Sequence, residues 1–310
     1  MTHSKPPGML AGPMPSINDK EGDHVPGFLP PVVDAHVHLF PDELFASIWQ
    51  WFDQFGWPIR YKFTASDVIE FLISRGIDHI VALHYAHKPG MARELNAYMA
   101  NVCHSNPRVT GLATVLPGEK NAADILKEGF DLGLGGVKLH SHVQCFDVIS
   151  SDMHVIYETC IDYNKPLLMH VGREPKSPAY RCDPHVLCGA DKVEAVLKTY
   201  PQLKVCVPHM GIDETDAYRV MIDNHDNLWL DTTMTLAEYL SPEYFPNLHE
   251  MRADRIIFGT DFPHLPYAWD RELKRLCGLD LPQDTLALIL GQNAKALFSI
   301  SDPAASGRGG

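Results

Sequence analysis

Eight short runs rich in Val, Ile and Leu punctuate the chain, at Val32–His38, His79–His84, Val109–Val115, Gly136–His140, Pro166–Val171, Lys204–Pro208, Leu228–Asp231 and Arg255–Thr260. Amphipathic stretches separate them. Run-to-run spacing is about 25–45 residues, the length a strand–helix–strand unit needs. Runs this continuously apolar suit a parallel sheet covered on both faces. "SDVIEFLISRG" reads as a helix capped by Ser66 and closing near Gly76, and "ADKVEAVLKTYP" stops at Pro201. "MARELNAYMANVCHS", "EKNAADILKEGFDLG" and "TDAYRVMIDN" read as helices too. Eight such units predict a single-domain α/β chain folded as a (β/α)8 TIM barrel over residues 31–300. The competitor is an open doubly wound sheet. It is disfavoured because no G-x-G-x-x-G turn follows the first run and "GLGGVK" leads into a strand rather than a helix.

The remaining composition narrows the partners. Net charge is −13 with histidines neutral, so neither nucleic acid nor an anionic membrane is expected as the main partner. A small molecule is, since it meets only the local field of a pocket. No stretch of 18 apolar residues predicts a membrane span. The seven cysteines are odd in number, scattered and without zinc-finger spacing, which suggests free thiols in a reducing compartment and a cytoplasmic protein. Residues 1–30, broken by prolines and glycines, are expected to form a poorly ordered arm, and residues 301–310 a flexible tail. The aromatic insert "IWQWFDQFGW" is expected in the core, over the barrel mouth or in a homodimer contact.

Chemistry-bearing residues stand at the ends of the predicted strands. Strand one ends with His36 and His38, strand four with Lys138, His140 and His142, strand five with His170, strand six with His209 and strand eight with Asp261. In a barrel all these ends open on one face. Side chains two apart on a strand point the same way, so His36 and His38 serve one centre. A lone buried histidine is usually just a hydrogen-bonded core residue. Several at separate strand ends, with an aspartate, are expected to converge on a divalent metal, and imidazole with carboxylate suits Zn²⁺, Mn²⁺ or Fe²⁺.

With "VDAHVHLF", "GGVKLH", "LLMHVGREP", "VPHMGIDE", "NLWLDTT", "FGTDFPH" and "GQNAKALF", the chain resembles the amidohydrolase superfamily, specifically its amidohydrolase-2 branch. That branch holds metal-dependent hydrolases and lactonases, and decarboxylases similar to aminocarboxymuconate-semialdehyde decarboxylase. By position, the resemblance implies one divalent ion, zinc first, on His36, His38, His170 and Asp261, with His209 as the catalytic histidine. It implies that Asp261 also moves a proton. Lys138 then either bridges a second metal as a carbamate or meets substrate, and Arg173 and His140 are expected on the substrate side. The expected reaction is hydrolysis of a small carboxylate-bearing ester, lactone or amide by a metal-activated water. The alternative is non-oxidative decarboxylation of an aromatic or enoic acid.

Overall fold

The computed structural model describes residues 15–173, 177–239 and 245–301. Each predicted run contains one strand: β1 (Val33–His38), β2 (His79–Leu83), β3 (Val109–Gly111), β4 (Val137–His140), β5 (Leu167–His170), β6 (Val205–Val207), β7 (Leu228–Asp231) and β8 (Ile256–Ile257). The helices among the described residues are α1 (Asp42–Phe55), α2 (Ala65–Ser74), α3 (Ala92–Ser105), α4 (Ala122–Asp131), α5 (Ser141–Gln144), α6 (Ser151–Asp162), α7 (Pro184–Leu187), α8 (Ala190–Thr199), α9 (Thr215–Asn224), α10 (Arg271–Cys277), α11 (Gln283–Ala287) and α12 (Asn293–Phe298). None is long and apolar enough to cross a membrane.

All strand pairs are parallel, in the order β1-β2-β3 and β4-β5-β6-β7-β8. Backbone hydrogen bonds join the two arcs. Ala113 N donates to Gly136 O (2.8 Å) and Lys138 N to Ala113 O (2.7 Å), linking the β3 and β4 sides. Ala35 N donates to Phe258 O (2.9 Å), Asp261 N to His36 O (2.9 Å) and His38 N to Phe262 O (2.8 Å), linking β8 back to β1. These bonds close the ring, so among the described strands neither arc is left with an unpaired edge.

Two apolar clusters follow from the alternation of side chains along the strands. The smaller fills the barrel: Val33, Ala35, Val81, Leu83, Leu112, Leu168, Cys206 and Ile257, with Ala294, Leu297 and Phe298 of α12 closing its floor. The larger lies between the strands and the surrounding helices, and takes the opposite face, such as Ile80, Val137, Leu139, Val205 and Leu230. Above the inner cluster the interior turns polar.

Two local expectations change, and one alternative is chosen. The cap of α2 is Thr64, whose side chain accepts from Asp67 N while Asp67 accepts from Thr64 N; Ser66 lies inside the helix. Residues 15–30, expected within a loose arm, run along the barrel. Val25 N donates to Arg75 O (2.7 Å), Gly22 N to Asp270 Oδ2 (2.8 Å), and Arg271 pairs with Asp19 (3.2 Å). The rest of that arm and positions 302–310 of the expected tail lie outside the described residues. The aromatic insert forms α1 and the turn after it, and lies across the barrel mouth, where Trp57 Nε1 donates to His264 O (2.7 Å).

Candidate metal centre

The C-terminal strand ends gather the predicted residues at the bottom of the mouth. His38 Nε2 lies 2.9 Å and His36 Nε2 3.4 Å from the same oxygen, Asp261 Oδ1. The donor atoms of these three buried residues all lie within 4.8 Å of one another. His36 Nδ1 lies 2.8 Å from Asp231 Oδ2, so this nitrogen carries the proton and Nε2 presents its lone pair. His36 Nε2 has no hydrogen-bond partner although it is buried. Burial first, and the Lys138 charge second, hold both imidazoles well below their ordinary pKa, in the neutral form a metal requires. Lone pair, carboxylate, neutral rings and a carboxylate–imidazole pair behind one of them fit a divalent ion.

The packing that allows this is tight. At Gly259 a Cβ would lie 2.5 Å from Thr233 Oγ1 and 2.7 Å from His36 Cβ, so the absence of a side chain makes room for His36. Beneath it, Asp34 accepts from Thr260 Oγ1 (2.6 Å), Thr260 N (3.1 Å) and His36 N (3.2 Å). Burial nevertheless pushes the Asp34 carboxyl up to about 7. Asp261 itself takes a left-handed backbone, φ 73°.

His209 stands on a tight turn after β6, where His209 (φ 55°), Met210 (φ 52°), Gly211 (φ 82°) and Ile212 (φ 54°) all have positive φ. Non-glycine residues rarely sit there, and such turns concentrate at functional sites. The turn is held by Asp231, whose Oδ1 accepts from His209 N at 2.9 Å. His209 Nδ1 lies 3.1 Å from Thr233 O, which places its proton on Nδ1 and turns Nε2 to the site. Its ring centroid is 5.4 Å from that of His36 and 4.8 Å from that of His170. Asp231 is thus a positioning residue for both histidines. Its signal in the sequence is the "WLDTT" strand end, which nothing local separates from a helix cap.

Lys138 is fully buried and its amine has no hydrogen-bond partner. Burial lowers it to about 8, against the pull of Asp231, Asp261 and Cys206. His170 falls in a second group with His140 and His142, whose donor atoms also lie within 4.8 Å of one another. Arg173 does not reach the cavity. Its Nε is 3.6 Å from Glu214 Oε1 and its backbone N donates to Glu214 Oε2 (3.0 Å), so the expected substrate grip is replaced by an ion pair. His140, expected on the substrate side, lines the cavity, as do Tyr180 and His264. His264 stacks on His38 (centroids 4.7 Å apart).

Above His38 and Asp261 opens a cavity of about 340 Å³ whose upper walls are aromatic, with Trp51, Phe52 and Trp57 from the α1 region facing Tyr85, Tyr180 and Tyr239. A family model described as amidohydrolase, the amidohydrolase-2 type, matches residues 33–300. The chain belongs to this family. No curated protein matches the chain. Solved structures do. This amidohydrolase is similar to an uncharacterised TIM-barrel protein from Bordetella bronchiseptica (20% identity, 87% of this chain and 99% of that one, TM-score 0.66). It is similar to a 5-carboxyvanillate decarboxylase from Novosphingobium aromaticivorans, complexed with manganese and 4-hydroxy-3-methoxy-5-nitrobenzoic acid (16% identity, 92% and 99%, TM-score 0.61). It is also similar to a probable 2-pyrone-4,6-dicarboxylic acid hydrolase from Acinetobacter baumannii with citric acid bound (18% identity, 87% and 100%, TM-score 0.62). The chain is an enzyme of the barrel class expected from its strand ends.

Proposed function

We propose that this amidohydrolase is a metal-dependent carboxy-lyase that removes CO₂ from a small aromatic acid. The observation that carries this reading is the aromatic wall directly above the metal-capable triad. A cavity of about 340 Å³ holds one substituted ring. Flat side chains such as Trp51, Trp57 and Tyr180 grip a flat ring through its faces and edges. An enoic chain would leave much of that wall unused. Similarity to a decarboxylase that binds a nitrobenzoate together with manganese supports the same reading.

His36, His38 and Asp261 would hold a divalent ion, which would supply Lewis acidity toward the substrate carboxylate. Loss of CO₂ breaks one C–C bond and leaves an electron pair on the ring carbon, which takes one proton. His209, with Nδ1 anchored on Thr233 O and Nε2 toward the site, and Asp261 are the groups placed to deliver it. The α1 region lies across the mouth and excludes water from the carbanion-like state. Lys138 adds a cation below the site where anionic substrate sits, its amine near Asp231 and Asp261. Hydrolysis of a lactone is the second reading. It is favoured by the pyrone-hydrolase likeness and by a lysine that burial brings to about 8.

The test is a panel of hydroxybenzoic and methoxybenzoic acids beside lactones, with Mn²⁺ or Zn²⁺ added, run in D₂O and in H₂¹⁸O. Decarboxylation gives CO₂ and arene in equal amounts, with deuterium on the vacated carbon. An acid gained from a lactone with ¹⁸O in the product, and no CO₂ from any acid, would overturn the reading.

A further inference from the structure

The helix across the mouth presents one apolar stripe. Leu44, Ile48, Trp51 and Phe52 of α1 recur at the spacing of a single helix face. That stripe spans more than the cavity over the metal centre. Beside the cavity opens a side chamber of about 350 Å³, which Leu44 and Ile48 line together with Val143 and Ala179. Trp51, Phe52, Tyr85, His140 and Tyr180 line both spaces, so the two abut through a shared, mostly aromatic wall. Within that wall Tyr180 stacks on Trp51, with centroids 5.9 Å apart. His38, His209 and Asp261 do not line the side chamber, which therefore lies off the metal-capable triad.

Arg181 and His87 stand at the edge of this chamber. Partial burial first, and then the Lys88 and Arg181 charges, hold the His87 imidazole below its ordinary pKa. Among the described residues no carboxylate counters those charges at His87, although the whole chain carries a net −13. Arg181 forms no ion pair among the described residues. The nearest acid along the chain, Asp183, is turned to His185 N (3.0 Å), where it caps α7. We infer that the side chamber binds an anionic arm of the substrate. The substrate is then an aromatic acid whose ring carries a short apolar chain ending in a second carboxylate. This rests on the aromatic-acid reading of the main cavity and adds what the ring carries.

Size, apolar surface and charge each support it. The main cavity takes one substituted ring, and the chamber beside it is as large again, space that a simple hydroxybenzoic acid leaves unfilled. Each methylene buried against Leu44, Ile48 and Val143 is worth up to about fourfold in affinity. A guanidinium offers parallel N–H donors that match the two oxygens of a carboxylate, so Arg181 favours an anionic end over a neutral one. With the reacting carboxylate held low at His38 and Asp261, the ring lies against Trp51 and Tyr180. A substituent on that side enters the chamber.

The experiment is calorimetric titration of the full chain loaded with Mn²⁺. The ligands are a hydroxybenzoic acid, the same acid with a –CH₂CH₂COO⁻ arm, and the same acid with a –CH₂CH₂CONH₂ arm, the arm placed at each open ring carbon in turn. At one position the carboxylate arm should tighten binding about tenfold over the bare acid. It should bind about three- to fivefold tighter than the amide arm. Arg181→Gln should erase the difference between the two arms. Ala179→Phe, which fills the chamber, should erase the gain from both; Val143→Phe serves if circular dichroism shows that variant unfolded. Equal affinity of the two arms in wild type, or a carboxylate preference that survives Arg181→Gln, overturns the inference. So do arms that gain nothing at any position while the bare acid binds. A bare acid that fails to bind strikes the aromatic-acid reading itself, and this inference with it.

Discussion

Asp231→Asn separates positioning from packing at the metal centre. The carboxylate makes two kinds of contact: Oδ1 accepts from His209 N (2.9 Å) and Thr233 N (3.2 Å), and Oδ2 faces His36 Nδ1 (2.8 Å). Asparagine has nearly the same shape, and its oxygen keeps the two backbone donors. Its NH₂ then occupies the Oδ2 position and can only donate. His36 must accept at Nδ1, which moves its proton to Nε2, the nitrogen that faces Asp261 and the ion. Loss of such a supporting carboxylate typically weakens a metal about 10–100-fold, or about 1.4–2.8 kcal/mol. The melting temperature of the metal-free chain should barely change, because the amide preserves the hydrogen-bond count. Asp231→Ala differs: it strands buried N–H groups at about 1–3 kcal/mol each and should lower the melt as well. The assay is competition for Zn²⁺ or Mn²⁺ against a coloured chelator, paired with a thermal melt. If Asp231→Asn binds metal as tightly as wild type, the His36 tautomer is not set by Asp231, and the reasoning fails.

Other outcomes can be checked beside it. His209→Ala should keep the fold and most of the metal while losing about 10²-fold or more in turnover, measured as kcat at saturating substrate; unchanged kcat removes it from proton delivery. Gly259→Ala should destabilise by about 1–3 kcal/mol in a denaturant melt, because its Cβ would press on His36 Cβ at 2.7 Å and Thr233 Oγ1 at 2.5 Å; a neutral result would mean the β1–β8 contact is looser than the packing shows. Asp34 keeps its proton to about 7 in the fold but only to about 3.9 when unfolded. The unfolded state therefore ionises first, and stability falls as pH rises from about 4 to about 7, by about 1.4 kcal/mol per pH unit, on the order of 4 kcal/mol at most. Asp34→Asn should flatten that slope and leave pH 4 stability near wild type. A slope unchanged in the variant assigns it to other groups.

Much of the architecture was legible because it rests on periodicity. Eight apolar runs separated by amphipathic stretches leave few alternatives to a closed parallel barrel, and each run holds its strand. The pair His36–His38, the histidine ending β5 and the aspartate after β8 were visible as residue types that a buried strand end does not need. What periodicity cannot carry is local register. Val33 and Ala35 pack in the barrel interior, so strict alternation would have turned His36 and His38 outward. The β1–β2 register shifts between Asp34 and Val37, and after that shift the two histidines face the centre. Such irregularities often sit beside active sites and re-aim side chains. Arg173 shows the converse: a guanidinium three residues past His170 was well placed in sequence, yet Glu214, 41 residues further on, pairs with it.

From sequence alone came the barrel, the acidic charge balance and the residues from which a metal centre can be built, since these depend on composition and on which side chains follow which. The role of Asp231 and the aromatic roof over the mouth were decided only in three dimensions. Each joins residues brought from distant parts of the chain: Asp231 to His36 across 195 positions, Trp57 to His264 across 207. Barrel closure is what sets them side by side, and no local pattern records a contact that only the closed ring creates.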